Sequence, residues 1–456
     1  MTEIFHSERD IVMEREHLQS RLGFIFLSAG CAIGCGNVWK FPWMVGQSGG
    51  GAFVLVYLIC LAVLGLPIMT MEFAVGRASQ AGLLGMYPRL EKPGQKWHIH
   101  GTVGLIGNIC LLAFYSVVTG WMICYFCRFV SGRTAGLSFG GMISSPAVNV
   151  TYLALTMIIS IVILCFNLQK GLERVIKYMM SALLVLILVL AVRSCLLDGA
   201  AGGIRFYLMP DFSKLTPQVI VSAMNQAFFT LSIGMGGVAI FGSYIDKSHS
   251  LMGESLYVIL LDTFVAITAG LIIFPACFTY GVEVNAGPSL LFDTMAVVFS
   301  HMEGGRLWGS LFFLFMVFAA LSTELTVLEA IIAAVREKTG WKRPFTGVVC
   351  GLSIFLLALT TALGFSVWHF QPFAEGTVWL DFWDFIVSTN ILPLGSLCFA
   401  LFCTTRIGWG WDSFVAEANA GKGLKIKAWM RPLFSYVVPA IILVLYIYGL
   451  VTFPWC

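Results

Sequence analysis

Charge is what the sequence has least of. Asp, Glu, Lys and Arg make up 11% of its 456 residues, against about 25% in ordinary soluble domains. That shortage excludes a soluble domain. Histidine is scarce as well, with seven residues in the chain. His6, His17, His98 and His100 fall near span ends, and His249, His301 and His369 fall in loops. None sits at membrane depth or at metal-ligand spacing, so an intramembrane enzyme has no constellation to work with. The thirteen cysteines lack paired spacing, and most lie inside apolar runs, where cysteine packs as a small hydrophobe. Cys195 and Cys456, both toward the expected outer face, are the pair that could meet. The opening MTEIFHSERDIVMEREHLQSR has neither a separate apolar core nor a cleavage site. It reads as a cytosolic leader and not as a signal peptide. A net charge of +3 points to no nucleic-acid partner.

Apolar residues are abundant, at 58% of the chain, with a mean hydropathy of +0.88. Apolar runs of 18 or more residues mark membrane spans. Eleven are expected, at 21–44, 52–76, 101–127, 149–168, 174–197, 217–244, 255–280, 307–335, 345–366, 382–403 and 432–453. Most of the 27 lysines and arginines lie in the leader and in alternate loops. The positive-inside rule therefore predicts a multi-pass protein of the cell membrane, in contact with the lipid bilayer. Its N-terminus would be cytoplasmic and its C-terminus extracellular.

Positions that cost free energy carry the information in such a chain. "AGCAIGCGNVWKFP", residues 29–42, puts Gly30, Gly34, Gly36 and Asn37 at the middle of the first span. "FFTLSIGMGGVAIFGSY", residues 228–244, puts Ser232, Gly234, Gly236 and Gly237 at the middle of the sixth. Glycine costs about 1 kcal/mol in a helix interior, and helix breaks at bilayer depth survive only where they face protein or a cavity. Matched interruptions in two halves are the sequence mark of a secondary transporter's binding site. Asp262, in "LLDTFVAITAG", is an acid deep in the seventh span, at a cost of about 2.5–3.5 kcal/mol even on gentle scales. A bound cation would offset it. In the eighth span "AALSTELTVLEAI" adds Glu324 and Glu329, and puts Ala319, Ser322 and Thr323 on one face, an i, i+3, i+4 set of hard oxygens.

These stretches, with "GGGAFVLVYLICLAVLGLPIMTMEFAVGR" and "FYSVVTGW", closely resemble the neurotransmitter:sodium symporter family, and its bacterial amino-acid transporters most of all. The likeness runs from about Arg15 to about Cys403. It implies an all-α membrane protein of 11 transmembrane helices, a 5+5 inverted repeat with discontinuous helices 1 and 6 and one additional C-terminal helix. The corresponding divisions are a leader and inner gate at 1–20, repeats at 21–197 and 217–403, and a cytoplasmic loop and last helix at 404–456.

Position by position, the resemblance implies two sodium ions. One would be held by Ala32, Asn37, Thr230 and Asp262, and the other by Gly30, Ile33, Ala319, Ser322 and Thr323. A substrate carboxylate would rest on the amides around Cys35 and Gly36 near Tyr115, and its ammonium on carbonyls that include Ala32 and Phe229. The side-chain pocket would be Leu111, Tyr115, Phe229, Ser232, Met235 and Val327, with Gly34 opening space and Thr230 and Thr323 at its border. No counter-charge for an ionised side chain appears in that set, so the expected substrate is a neutral hydrophobic or aromatic amino acid. Lys40 with Asp384 matches the outer gate, beneath it a Tyr115/Phe229 lid; Arg15, Tyr244 and Glu337 match the inner one.

Several positions depart from the family. Asp262 replaces a usual asparagine, and Ala266 stands where some relatives carry a glutamate, which suggests chloride-independent transport. Ser181 takes the place of a proline, Leu18 that of a tryptophan, Glu324 has no family counterpart, and a twelfth span is absent. A proton-coupled transporter of the same core and a transport-silent amino-acid sensor remain the rivals. The sequence is silent on oligomeric state.

Overall fold

The computed structural model describes residues 21–134, 136–166, 168–283, 289–373 and 375–453. Arg15, Leu18 and Cys456, named above, lie outside them. Among the described residues the chain is helical, with one isolated bridge between His249 and Lys422 as its only extended pairing.

Helices α1 (Arg21–Ala32) and α2 (Gly36–Gln47) form one span bent by 51°. Continuous spans follow as α3 (Gly51–Ser79), α4 (His98–Ser131), α5 (Pro146–Cys165) and α6 (Gly171–Cys195). The sixth expected span is again two pieces, α7 (Pro217–Leu231) and α8 (Gly237–Gly242), each too short to cross a bilayer alone. Then come α9 (Leu251–Tyr280), α10 (Gly305–Thr339), α11 (Arg343–Gly364), α12 (Trp379–Thr404) and α13 (Ala428–Val451). Nine described helices are thus individually long and apolar enough to cross, or ten with the bent pair. The α7–α8 segment, at the position of the sixth expected span, is not among them. Most helices overrun their expected ends by a few residues, because apolar periodicity stops at the water interface while backbone bonding continues.

Burial sorts the helices. The most apolar stretches of α4 and α10 are 89% and 83% buried in protein, against 22% for α13. So α4 and α10 form the centre, and α13 faces outward along most of its surface. Close backbone approach locks α3 to the short α8: a Cβ on Gly76 would sit 1.8 Å from the Ala239 carbonyl oxygen. Glycine is the only residue that fits there.

Several of the charges inside this frame are paired, which offsets their desolvation. Arg343 donates to both carboxylate oxygens of Glu329, at 2.5 and 3.1 Å, which accounts for that acid in the eighth span. Arg77 at the end of α3 donates to the Glu417 side chain at 2.7 Å and to the His249 carbonyl at 2.8 Å. Lys247 reaches the other Glu417 oxygen at 2.8 Å. In the same loop the Ser248 hydroxyl and amide hold the Asp246 carboxyl below its ordinary range. Cys195 is a free thiol lying against the Leu271 carbonyl.

Candidate functional site

The site is made of backbone that the two interrupted spans release. In the first, the Ile33 amide still donates to the Ala29 carbonyl at 2.6 Å. Beyond it side chains take over. The Gly34 amide donates to Asn37 Oδ1 at 3.1 Å, the Cys35 amide to the Tyr115 hydroxyl at 2.8 Å, and Gln226 donates to the Gly36 carbonyl at 2.7 Å. Sequence reasoning missed Gln226, a polar residue one turn before the sixth break. In that break, Ser232, Gly234 and Gly236 have φ of 52°, 101° and 72°. The left-handed Ser232 ends α7 in a bonded turn, its amide on the Phe229 carbonyl at 3.1 Å and the Ile233 amide on the Phe228 carbonyl at 3.3 Å. The Gly234 amide donates to buried Glu72 of α3, and Asn108 of α4 donates to the Met235 carbonyl at 3.2 Å. Both partners were unremarkable in the sequence, since a polar residue inside a span shows no address.

Two clusters of oxygens flank these breaks. Asn37 Nδ2 donates to Asp262 Oδ1 at 2.7 Å and to the Asp262 carbonyl at 3.1 Å. The Thr230 hydroxyl stands 3.3 Å from each Asp262 carboxylate oxygen. Asp262 is fully buried and turned toward the first break. In the second cluster, Ser322 Oγ lies 3.1 Å from the Ile33 carbonyl and 2.9 Å from that of Ala319. Thr323 Oγ1 lies 3.2 Å from the Gly30 carbonyl and 3.3 Å from that of Ile33. All five positions named from the sequence converge there. Every donor is a hard oxygen, the chemistry that suits a small hard cation. Among the described residues no group of three or more His, Cys, Asp and Glu gathers as a transition-metal site.

Beside these clusters lies a small cavity of about 10 Å³, roughly the room of one water molecule. Its polar end is Ala32, Gly34, Gly36, Tyr115, Ser232 and Thr323, and its apolar end includes Leu111, Phe229 and Met235. Val387 and Leu392 of α12 complete the wall and were missed, because an apolar residue in an apolar span carries no signal. Cys35, Thr230 and Val327 are buried but do not line this space. A Cβ on Gly34 would fall 2.3 Å from both the Tyr115 hydroxyl and Thr323 Oγ1, so this glycine keeps the polar end open.

Above the cavity, Lys40 Nζ donates to both Asp384 oxygens at 2.7 and 2.9 Å and sits 4.2 Å from the Phe229 ring centre. On the opposite side, the Gly82 amide donates to Glu337 at 2.7 Å, and Arg89 stands 3.7 Å from the same carboxylate. Tyr244 is buried nearby in sequence terms at the end of the α8 segment, and its expected partner Arg15 lies outside the described residues. An ion pair not foreseen, Arg21 to Glu254 at 2.8 Å, ties the start of α1 to α9. Glu324 accepts from Ser116 Oγ at 2.8 Å. Helix α6 is unbroken through Ser181, whose hydroxyl donates to the Lys177 carbonyl at 2.8 Å.

Two interrupted spans enclosing a mid-protein cavity beside oxygen clusters define a secondary membrane transporter with discontinuous helices. The chain belongs to the Sodium:neurotransmitter symporter family, whose family model matches residues 15–140 and 136–455. It is similar to the uncharacterized sodium-dependent transporter YhdH of Bacillus subtilis, 34% identical over 94% of this chain and 96% of that protein. An uncharacterized sodium-dependent transporter of Haemophilus influenzae is also 34% identical, over 96% of this chain and 98% of its own. Among solved structures, that of MhsT in complex with L-phenylalanine superposes with a TM-score of 0.87 at 36% identity, covering 95% of this chain and 99% of that one. The protein is accordingly a multi-pass membrane transporter and not an enzyme.

Proposed function

We propose that the protein imports neutral hydrophobic or aromatic L-amino acids together with two Na⁺ ions, without chloride, by alternating access. The observation that carries this reading is the convergence of Gly30, Ile33, Ala319, Ser322 and Thr323 oxygens beside the cavity. A proton-coupled relative would have no use for two hydroxyls there. The first ion would sit among Ala32, Asn37, Thr230 and Asp262, against the substrate carboxylate. Asp262 would supply the negative charge that chloride provides elsewhere in the family.

The substrate backbone would meet the Cys35 and Gly36 amides and the Tyr115 hydroxyl, with its ammonium on the Ala32 and Phe229 carbonyls. Its side chain would lie among Leu111, Phe229, Met235 and Val387, a set without charge. The phenylalanine bound to MhsT fits that chemistry. A cavity this small means that the walls separate to admit an amino acid, and Met235 is adaptable enough to follow. Each Na⁺ falling through about 100 mV releases about 2.3 kcal/mol. Two ions would support about three decades of accumulation at about 1.4 kcal/mol per decade. The repeat boundaries at 197 and 217 and the cytoplasmic placement of the N-terminus belong to the same reading.

The test is amino-acid binding by purified protein in sodium against potassium across all twenty amino acids. Sodium-dependent binding of leucine-, phenylalanine- or tryptophan-type substrates is expected, and binding indifferent to the cation overturns the reading. Uptake that collapses when gluconate replaces chloride removes the chloride-independent part alone.

A further inference from the structure

A second cavity, unconnected with the substrate site in composition, opens on the membrane-facing side between α4 and α12. Its volume is about 350 Å³. Its walls are apolar: Ile99 and Val103 from α4, Ile391, Leu394 and Cys398 from α12. Three of these wall residues are well exposed, Ile99 at 53%, Val103 at 38% and Leu394 at 39%, and so is Ile106 beside them at 49%. The groove follows α12 from Ile391 to Cys398, roughly 10 Å at 1.5 Å per residue. That is about a third of the hydrocarbon thickness of a bilayer.

One end of this groove is charged. Lys96 lines its mouth, is exposed, and has no ion-pair partner among the described residues. Lys92 donates to the Arg406 carbonyl at 3.1 Å and Trp97 Nε1 to the Ile407 carbonyl at 2.8 Å, which ties this end of α4 to the backbone that follows α12. The nearest acid in sequence, Glu91, is engaged by His98 at 2.7 Å. At the other end Asn390 is closed off by the Tyr446 hydroxyl of α13 at 3.0 Å. The result is an apolar slot with the Lys96 side chain at its charged end and the Asn390–Tyr446 hydrogen bond at the other.

The back wall of the slot is the sixth-span break. A Cβ on Gly395 would lie 1.9 Å from the Gly234 carbonyl oxygen and 2.9 Å from Nε2 of buried His100. A Cβ on Gly107 would lie 2.8 Å from Ile391 and 3.1 Å from the Met235 sulfur. So α4 and α12 grip Gly234 and Met235 from both sides, and Met235 also lines the substrate cavity. Any change in the spacing of α4 and α12 reaches the substrate site through Met235 and through the residues both helices contribute to its wall.

We propose that this groove binds an anionic phospholipid, its headgroup on Lys96 at the mouth and one acyl chain along Val103 and Leu394, and that occupancy supports transport. In the orientation proposed above this end meets the cytoplasmic leaflet, where anionic lipids contribute about 1 kcal/mol per neighbouring basic residue. A zwitterionic lipid would satisfy the walls but not the cation.

Native mass spectrometry of the purified full-length chain, taken from vesicles of equal phosphatidylglycerol and phosphatidylcholine without sodium or amino acid, tests the binding. Phosphatidylglycerol should be retained preferentially. Lys96→Gln should lower that preference about fivefold, the equivalent of about 1 kcal/mol. Val103→Trp, or Leu394→Trp from the opposite wall if the first fails to fold, should abolish retention. Uptake in vesicles should rise with phosphatidylglycerol content for the wild type and stay flat for the tryptophan variant. Equal retention of the two lipids, retention of free fatty acid in preference to phospholipid, or unchanged retention by a folded tryptophan variant each overturns the proposal. Because retention is read without sodium or substrate, its outcome is independent of the transport reading.

Discussion

Between Ala32 and Gly36 the first span turns through 51° without one left-handed residue, while between Leu231 and Gly237 the sixth uses three, at Ser232, Gly234 and Gly236. The first break is held open from outside. Asn37, Tyr115 and Gln226 take up its amides and carbonyl, and without them the backbone could return to a helix. The sixth is written into its own dihedral angles, which residues with a Cβ resist by about 1–2 kcal/mol each. The first break therefore rests on the side chains around it, and the sixth on left-handed backbone that Glu72 and Asn108 tie to α3 and α4. The first is the natural place for a conformational change, and the second for a fixed pivot.

Gly234→Ala should have the largest effect. Its Cβ would meet the Leu392 carbonyl oxygen at 2.2 Å, at a φ of 101°. Sodium-dependent uptake should fall about a hundredfold or to background, since strain and clash together exceed about 2–3 kcal/mol. Near-normal uptake would show that the pivot is not fixed. Gly34→Ala, by contrast, meets the ends of two side chains, Tyr115 and Thr323, and should weaken substrate affinity more than it harms folding.

Asp262→Asn is next. It keeps the shape of the Asn37 contact and removes the charge. Sodium affinity, read by the concentration giving half-maximal binding, should drop about tenfold, and added chloride should restore part of it. A sodium response unaltered in either salt would detach Asp262 from ion binding.

Tyr115→Phe leaves the buried Cys35 amide without its acceptor, a loss of about 1–3 kcal/mol. Substrate binding should weaken about fivefold or more, with thermal stability lowered only slightly. The reverse pattern would make the hydroxyl a prop for the first break and nothing else. Lys40→Gln should matter least, because a partly exposed ion pair is worth about 0–1 kcal/mol. Its signature should be faster substrate release, measured by dissociation of labelled ligand, with little change in sodium affinity.

Much of the site was legible because it consists of exceptions. A run of glycines, a lone asparagine and an aspartate in apolar spans are expensive, and each expense marks a place where something must compensate. Asp262, Asn37, Ser322 and Thr323 were found that way, and Thr230 through resemblance to a family. Val387 and Leu392 escaped because an apolar wall inside an apolar helix costs nothing and so leaves no trace. Glu72 and Gln226 escaped for a different reason. Each is polar and costly, but its partner is a bare amide or carbonyl two hundred residues or so away, which no local pattern reveals. The groove behind α4 and α12 was invisible altogether, being a matter of two surfaces failing to meet.

The sequence by itself determined that this chain lives in a membrane, where its spans run, and at which two points they are interrupted. Hydropathy and glycine act locally, so a linear reading captures them. Only the tertiary structure decided which oxygens face one another across Gly30, Ser322 and Asp262, how tightly Phe229 and Lys40 close the cavity, and that Met235 stands between the substrate and an outer groove. Those facts depend on the relative placement of helices packed at a few ångströms, and that placement is set by the whole set of contacts at once.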